Sequence, residues 1–117
     1  MKSKNTVEIC PVSYTQDLIG GKYKSHILWF LSDNKMRFNQ IQKLFPNATA
    51  KMLSQQLRAL EKDKLVIRKV FPVVPPKTEY SLTKLGQSLK PVLELMYNWG
   101  NEILNKKGKQ PNCGMCN

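Results

Sequence analysis

The chain has 117 residues, enough for one domain with a substantial core and too few for two independent domains. Its formal net charge is +11 and its pI is about 9.8, so polyanions are its natural partners, with nucleic acid ahead of an anionic membrane surface. No apolar run approaches the roughly 18 to 20 residues of a membrane span, and no apolar secretory core follows the N-terminus. We therefore expect a cytoplasmic protein without membrane contact.

The N-terminal part is predicted to be an arm followed by two helices. Residues 1–9 are polar and basic and are expected to be flexible. Pro11 suits the first turn of a helix that ends near Gly20, with Val12 on its buried side. A second helix is predicted from Lys22, and its nearly continuous apolar residues make it the hydrophobic centre.

The middle of the chain, residues 36–82, has the element order of a DNA-reading module. A short strand at 36–37 and a helix at 38–45 precede a tight turn, a longer helix at 49–63 and two strands around a Pro-Pro pair. This is the order of a winged helix-turn-helix, in which the second helix enters the DNA major groove. The fold class is therefore predicted as α+β, mainly α. Between residues 35 and 79 there are ten basic and three acidic residues, a net +7, which places most of the charge in this module.

The predicted recognition helix, 49–63, has two different faces. At about 100° per residue, Leu53, Leu57 and Leu60 fall in one narrow sector that should face the core. The opposite face has hydrogen-bond donors and no acid: Lys51, Ser54, Gln55, Arg58 and Lys62. Such a face could simply be solvated, but the order of elements favours DNA contact.

The chemistry of these side chains suggests which of them would contact base edges and which would contact phosphates. The guanidinium of Arg58 can pair with guanine through two hydrogen bonds, and the amide of Gln55 can pair with adenine in the same way. Lys51 and Lys62 are better suited to phosphate.

Further DNA-binding candidates lie around this helix. Arg37 and Lys43 belong to the preceding strand and helix, where Lys43 should stay outside the core, near phosphate. Lys77 belongs to the wing at 72–78, which Pro75 and Pro76 should stiffen. This lysine could contact the flanking groove or backbone, or it could be part of an ordinary charged loop.

The C-terminal helix, predicted over 83–105, is expected to mediate dimerisation. Its apolar residues follow a heptad spacing: Leu82, Leu85, Leu89, Val92, Met96, Trp99 and Ile103. A second apolar set widens this surface, which favours contact with another subunit over packing within the monomer. Pro91 should bend the helix near Lys90. A homodimer formed through this helix and the N-terminal helix would read a palindromic operator.

Several linked motifs resemble the HxlR-type winged helix-turn-helix transcription regulators. The motifs lie in order at 10–12, 18–24, 37–38, 51–61 and 74–83, and read CPV, LIGGKYK, RF, KMLSQQLRALE and VPPKTEYSLT. The resemblance implies dimeric bacterial proteins that bind DNA and repress or activate nearby genes, and it implies no enzymatic activity. Lys64 stands where this family commonly ends the recognition helix with glycine, so a left-handed lysine there should cost about 1 kcal/mol.

The three cysteines suggest a redox signal. An odd number in so short a chain does not make a disulfide framework, and Cys10 precedes a helix N-terminus that can lower its thiol pKa. The resemblance implies that some relatives sense oxidants through the equivalent cysteine, in some cases by a disulfide to a C-terminal cysteine of the partner subunit. Cys113 and Cys116 are candidates for that second thiol. Alternatively, Cys10 is a small packed residue and the basic tail, 106–117, is merely flexible.

Other functions are less well supported by the sequence. One C-x-x-C pair supplies two ligands of the four that a structural zinc needs, so we expect no metal, and no motif suggests a cofactor. Nonspecific nucleic-acid binding and thiol redox chemistry are the alternatives to sequence-specific regulation. The sequence identifies no small-molecule effector.

Overall fold

The computed structural model describes residues 9–109, which form six helices and three strands. The predicted N-terminal arm lies outside these residues except for Ile9, and so does the tail from residue 110 onward. In chain order the elements are α1 (Pro11–Ile19), α2 (Lys24–Leu31), β1 (Met36–Arg37), α3 (Phe38–Leu44), α4 (Ala50–Lys62), β2 (Val66–Phe71), β3 (Lys77–Leu82), α5 (Lys84–Gln87) and α6 (Lys90–Lys106). No helix in this part of the chain is long and apolar enough to cross a membrane.

The three strands form one antiparallel sheet in the order β1-β3-β2. β2 and β3 make a hairpin in which Val66 pairs with Leu82 and Phe71 pairs with Lys77. On its other side β3 pairs with β1, where Arg37 lies opposite Glu79. The helix-turn-helix of α3 and α4, together with this hairpin, confirms the predicted winged helix fold.

The core is built between α2, α3, α4 and the sheet. Leu53, Leu57 and Leu60 of α4 are at most 1% exposed, as their shared sector predicts. They pack in one cluster with apolar residues of α2, including Ile27 and Leu28. Each buried leucine contributes about 1.5–3 kcal/mol through removal of apolar surface from water, so this cluster fixes the rotation of α4 about its axis.

The end of α4 confirms the predicted left-handed residue. Lys64 has φ 63°, and no other non-glycine residue in the described part of the chain has a positive φ. The turn brings the backbone back so that Leu65 N–H donates to Leu60 O at 3.0 Å. A lysine is therefore held in a conformation that suits glycine better.

Two predictions for the N-terminal helices were wrong in detail. Val12 is 74% exposed rather than buried, although it shares a helical face with the buried Ile19, because only the C-terminal end of α1 reaches the core. The second helix begins at Lys24 rather than Lys22, because Gly21 has φ 95° and Tyr23 is not helical.

The prediction of one helix over 83–105 was also wrong. Thr83 does cap a helix, its Oγ1 accepting from Gly86 N–H at 3.0 Å, but α5 ends after one turn. A new helix, α6, then begins with Pro91 in its first turn, where a missing N–H removes no helical hydrogen bond. Proline thus begins a helix here instead of bending one.

Candidate nucleic-acid interface

The recognition helix α4 is fixed at its N-terminus by Thr49. Its Oγ1 accepts a hydrogen bond of 3.0 Å from Met52 N–H, which satisfies one of the free amides of the first turn. No acidic residue lies in that turn. The positive end of the helix dipole is therefore not neutralised by a side chain and favours a nearby anion.

The face of α4 opposite the buried leucines is open to solvent. Of its five predicted DNA-binding side chains, Lys51, Gln55, Arg58 and Lys62 are exposed and Ser54 is half-buried. None of the three cations takes part in an ion pair, since the ion pairs within residues 9–109 join Lys90 to Asp33 and Lys106 to Glu102. The charges on this face are therefore available to an external partner.

The other candidates lie on the elements that precede and follow α4 in the chain. Arg37 is exposed at the start of α3, where its backbone N–H donates to Gln40 Oε1 at 2.8 Å. Lys43 is exposed in the last turn of α3. Lys77 lies at the base of the wing, at the start of β3, and is also exposed.

The wing is a loop over residues 72–76 between β2 and β3. The Val74-Pro75 peptide bond is cis, and Val74 is 99% exposed. On β2, the Lys69 ammonium lies 5.0 Å from the centre of the Phe71 ring. The hairpin therefore presents an exposed apolar side chain in its loop and a cation on the adjoining strand.

Tyr80 is a buried residue of β3 whose phenol is influenced by charged groups of both β2 and α4. Burial raises the pKa of its phenol, although the charge and hydrogen bond of Arg68, directly opposite on β2, act in the other direction. Glu61 and Arg58 of α4 are also close enough to affect this pKa. Arg68 was not among the predicted site residues. Its relation to α4 depends on its pairing opposite Tyr80 in the sheet, and the sequence alone did not reveal that register.

Cys10 is the N-cap of α1 and is exposed. Its thiol pKa is lowered, chiefly by a hydrogen bond from the backbone N–H of Ser13, with further contributions from Val12 N–H and the Ser13 hydroxyl. These donors favour the thiolate, the form that reacts with oxidants. Cys113 and Cys116 lie outside the described residues. Within residues 9–109, no group of three or more histidine, cysteine and acidic residues could hold a metal ion.

The outer surface of α6 is apolar and exposed. Leu95 is 70% exposed, Trp99 67% and Met96 49%. Beside them, a shallow hollow of about 660 Å³ is lined by residues that include Trp29 and Tyr97, whose rings stack with their centres 5.7 Å apart. The heptad residues of this helix are thus mostly not buried within the protomer.

Comparison with known proteins identifies the family. The family model for the HxlR-like helix-turn-helix matches residues 18–108. An HTH-type transcriptional regulator of Bacillus subtilis, YdeP, whose specific role is uncharacterised, is 47% identical over 107 residues, covering 92% of this chain and 84% of that protein.

Solved structures agree with this result. The redox regulator HypR in its reduced form superposes with a TM-score of 0.78 at 43% identity, covering 84% of this chain and 99% of that one. Diamide-treated YodB from B. subtilis superposes with a TM-score of 0.67 at 31% identity, covering 88% of this chain and 98% of that one. This chain belongs to the HxlR-like helix-turn-helix family and is a transcriptional regulator of the DNA-binding type.

Proposed function

We propose that this protein is a dimeric, sequence-specific DNA-binding regulator that acts in the cytoplasm. The observation that carries the proposal is the exposed, acid-free face of α4, directly opposite three fully buried leucines. Because those leucines fix the rotation of the helix, the four exposed side chains of this face, Lys51, Gln55, Arg58 and Lys62, are always presented outward. A fixed pattern of donors is what direct reading of base edges requires.

The roles within the site follow from side-chain chemistry. With α4 in the major groove, Arg58 and Gln55 read base edges and Lys51 and Lys62 contact phosphate. Ser54 is half-buried, and its hydroxyl adds one short contact to the DNA.

The surrounding residues position the module on the duplex. Arg37 and Lys43 contact phosphates beside α3, and Lys77 brings the wing to the flanking groove or backbone. Phosphate contacts carry no sequence information, so these residues contribute affinity and orientation.

We infer that the dimer forms through α1 and α6. Leu95 and Trp99 leave a large apolar surface on α6, and α1 has an exposed apolar side chain of its own in Val12, which is 74% exposed. Burial of such surface in a symmetric interface is the usual way in which proteins of this size gain stability from a second copy. Two recognition helices about one turn of DNA apart would then bind a palindromic operator.

A gel shift with the promoter beside the protein's own gene tests the proposal. We expect Arg58→Ala to weaken binding to this promoter by about 1–3 kcal/mol, or roughly 5- to 150-fold, because a bidentate contact is lost. Binding to random duplex should change much less. Lys106→Ala, at the far end of α6, is the matched control and should behave as wild type. Equal loss on both duplexes for Arg58→Ala would instead support nonspecific nucleic-acid binding.

A thiol-responsive form of this regulator is favoured by Cys10. Its thiol is exposed and its pKa is lowered by backbone and Ser13 donors, and HypR is described as a redox regulator. In such a response, two thiols give two electrons and two protons to diamide, which becomes a hydrazine, and a disulfide forms. The second thiol would be Cys113 or Cys116 of the partner subunit.

Diamide treatment followed by a gel shift tests this response. We expect DNA binding by wild type to change and to recover with dithiothreitol, while Cys10→Ser is insensitive. A Cys113→Ser/Cys116→Ser variant should lose the intersubunit crosslink on a non-reducing gel. If Cys10→Ser responds to diamide as wild type does, the sensor proposal is wrong and the DNA-binding proposal is unaffected.

A further inference from the structure

The loop that joins α1 to α2 lies against the helix-turn-helix at two points. The position of a Cβ on Gly21 is 3.0 Å from Gln56 Oε1 of α4. The Tyr23 ring meets the Phe45 ring edge-on with a centre-to-centre distance of 5.1 Å, and Phe45 directly follows α3. The loop is thus attached both to the recognition helix and to the turn that precedes it.

This loop and the sheet flank α4 on opposite sides. With about 100° per residue, Gln56 lies about 60° from Leu53 in one direction, whereas Glu61, whose charge acts on Tyr80 of the sheet, lies about 80° in the other. The exposed face of Lys51, Arg58 and Lys62 lies between them. A duplex that contacts this face therefore has the wing hairpin on one side and the α1–α2 loop on the other.

Two lysines stand on the loop side with their charges unpaired. Lys22 is exposed, and its ammonium lies 5.6 Å from the centre of the Tyr23 ring. The Lys24 stem passes the Gly21 Cβ position at 3.8 Å, beside Gln56. Neither belongs to the ion pairs found within residues 9–109, and the first turn of α2 contains no acid. The nearest acids along the chain are Asp17 on α1 and Asp33 beyond α2, and Asp33 is paired with Lys90.

We propose that Lys22 and Lys24 form a phosphate clamp that holds the DNA backbone on the side of α4 away from the wing. The inference rests on the proposed function, since it requires α4 to lie in the major groove. The ammonium groups of Lys22 on the loop and Lys24 at the start of α2 suit phosphates as point charges and carry no base preference. The clamp adds affinity and fixes the tilt of α4, while base selection stays with Arg58 and Gln55.

The salt dependence of binding tests the clamp. In the full-length protein, Lys22→Ala/Lys24→Ala should lower the slope of log affinity against log salt by about 1.8, since each phosphate contact contributes about 0.9 on duplex DNA. Affinity for the operator and for random duplex should fall by the same factor. Lys106→Ala/Lys107→Ala removes the same charge from the end of α6 and should leave the slope unchanged.

The position of the contacts gives a second measurement. Ethylation interference should show that phosphates on one flank of each half-site matter for wild type and cease to matter for Lys22→Ala/Lys24→Ala. If Lys22→Ala/Lys24→Ala has the same salt slope and the same interference pattern as wild type, the clamp proposal is wrong. If Arg58→Ala still weakened operator binding in that case, the proposed function would stand. If neither variant changed binding, both proposals would fail.

Discussion

One side chain, that of Thr83, attaches the end of the recognition helix to the elements that follow the hairpin. The Thr83 hydroxyl donates to Lys64 O at 2.6 Å and accepts from Gly86 N–H at 3.0 Å. It therefore joins the turn that follows α4 to α5 across the base of the hairpin. Nothing in the sequence spacing indicated this contact, because the two residues are 19 positions apart.

Thr83→Val should be destabilising. The change keeps the shape of the side chain but removes both hydrogen bonds and the cap of α5, at a cost of about 1–3 kcal/mol. Urea unfolding followed by circular dichroism measures it. Thr78→Val on β3 is the matched control, since its hydroxyl has no hydrogen-bond partner among the described residues, and it should cost less than 1 kcal/mol.

Replacement of Lys64 by glycine should be stabilising. Lys64 has φ 63°, a left-handed conformation in which its Cβ is strained. Glycine has no Cβ, so it should remove this strain and raise the free energy of unfolding by about 1 kcal/mol. Lys64→Ala removes the charge but keeps the Cβ, so it should not give this gain. Equal stabilisation by alanine and glycine would show that charge, rather than backbone conformation, sets the cost.

Gly86→Ala should be strongly destabilising. A Cβ at this position would collide with the carbonyl oxygen of Leu65, which is backbone and cannot rotate away. That same oxygen accepts a hydrogen bond of 3.0 Å from Thr83 N–H, so its displacement would also disturb the end of the hairpin. We expect a loss of about 1–3 kcal/mol, the cost typical of overpacking, in the same urea experiment. Gly100→Ala is the control, since no atom other than those of its chain neighbours and its own helix backbone lies within 4 Å of its Cβ position.

At the scale of elements, periodicity predicted what lies in the core and missed where helices break. The three leucines of α4 and the left-handed residue after it followed from residue spacing and from the family motif. The break between α5 and α6 did not, because a heptad pattern runs through it without interruption. Pro91 marked the place, but proline is compatible both with a bend inside a helix and with a first turn.

The candidate site was predictable to a similar extent. The exposed face of α4 is a consequence of its own sequence, so rotation about the helix axis was enough to find it. Lys22 and Arg68 were missed because their relation to α4 depends on tertiary contacts, through Gly21 and Tyr80 respectively. Such contacts join residues far apart in the chain, and no local pattern reports them.

At the scale of the whole molecule, the apolar surface of α6 should decide the oligomeric state. Trp99→Glu places a charge on a side chain that is 67% exposed, so the protomer should still fold, while a dimer interface there would have to bury that charge. We expect a shift from dimer to monomer in sedimentation velocity. Glu102→Gln, one turn further along α6, is the control and should remain dimeric. A Trp99→Glu variant that stays dimeric would remove α6 from the interface.

The charge distribution of the whole chain should appear as a steep salt dependence of DNA binding. If the protein makes six to ten phosphate contacts, raising the salt from 50 to 200 mM should reduce its affinity for DNA by a factor of about 10³ to 10⁵. A net charge of +11 without such a dependence would mean that the charge serves another partner.

The central claim is that α4 selects bases through its exposed face, and selection from a random duplex library tests it most directly. Wild type should enrich a palindromic motif, and Arg58→Ala should enrich the same motif with the preference lost at one base pair in each half-site. Lys51→Ala should keep the full motif at lower affinity, because a phosphate contact carries no base preference. An Arg58→Ala variant that enriches the complete wild-type motif would contradict the account.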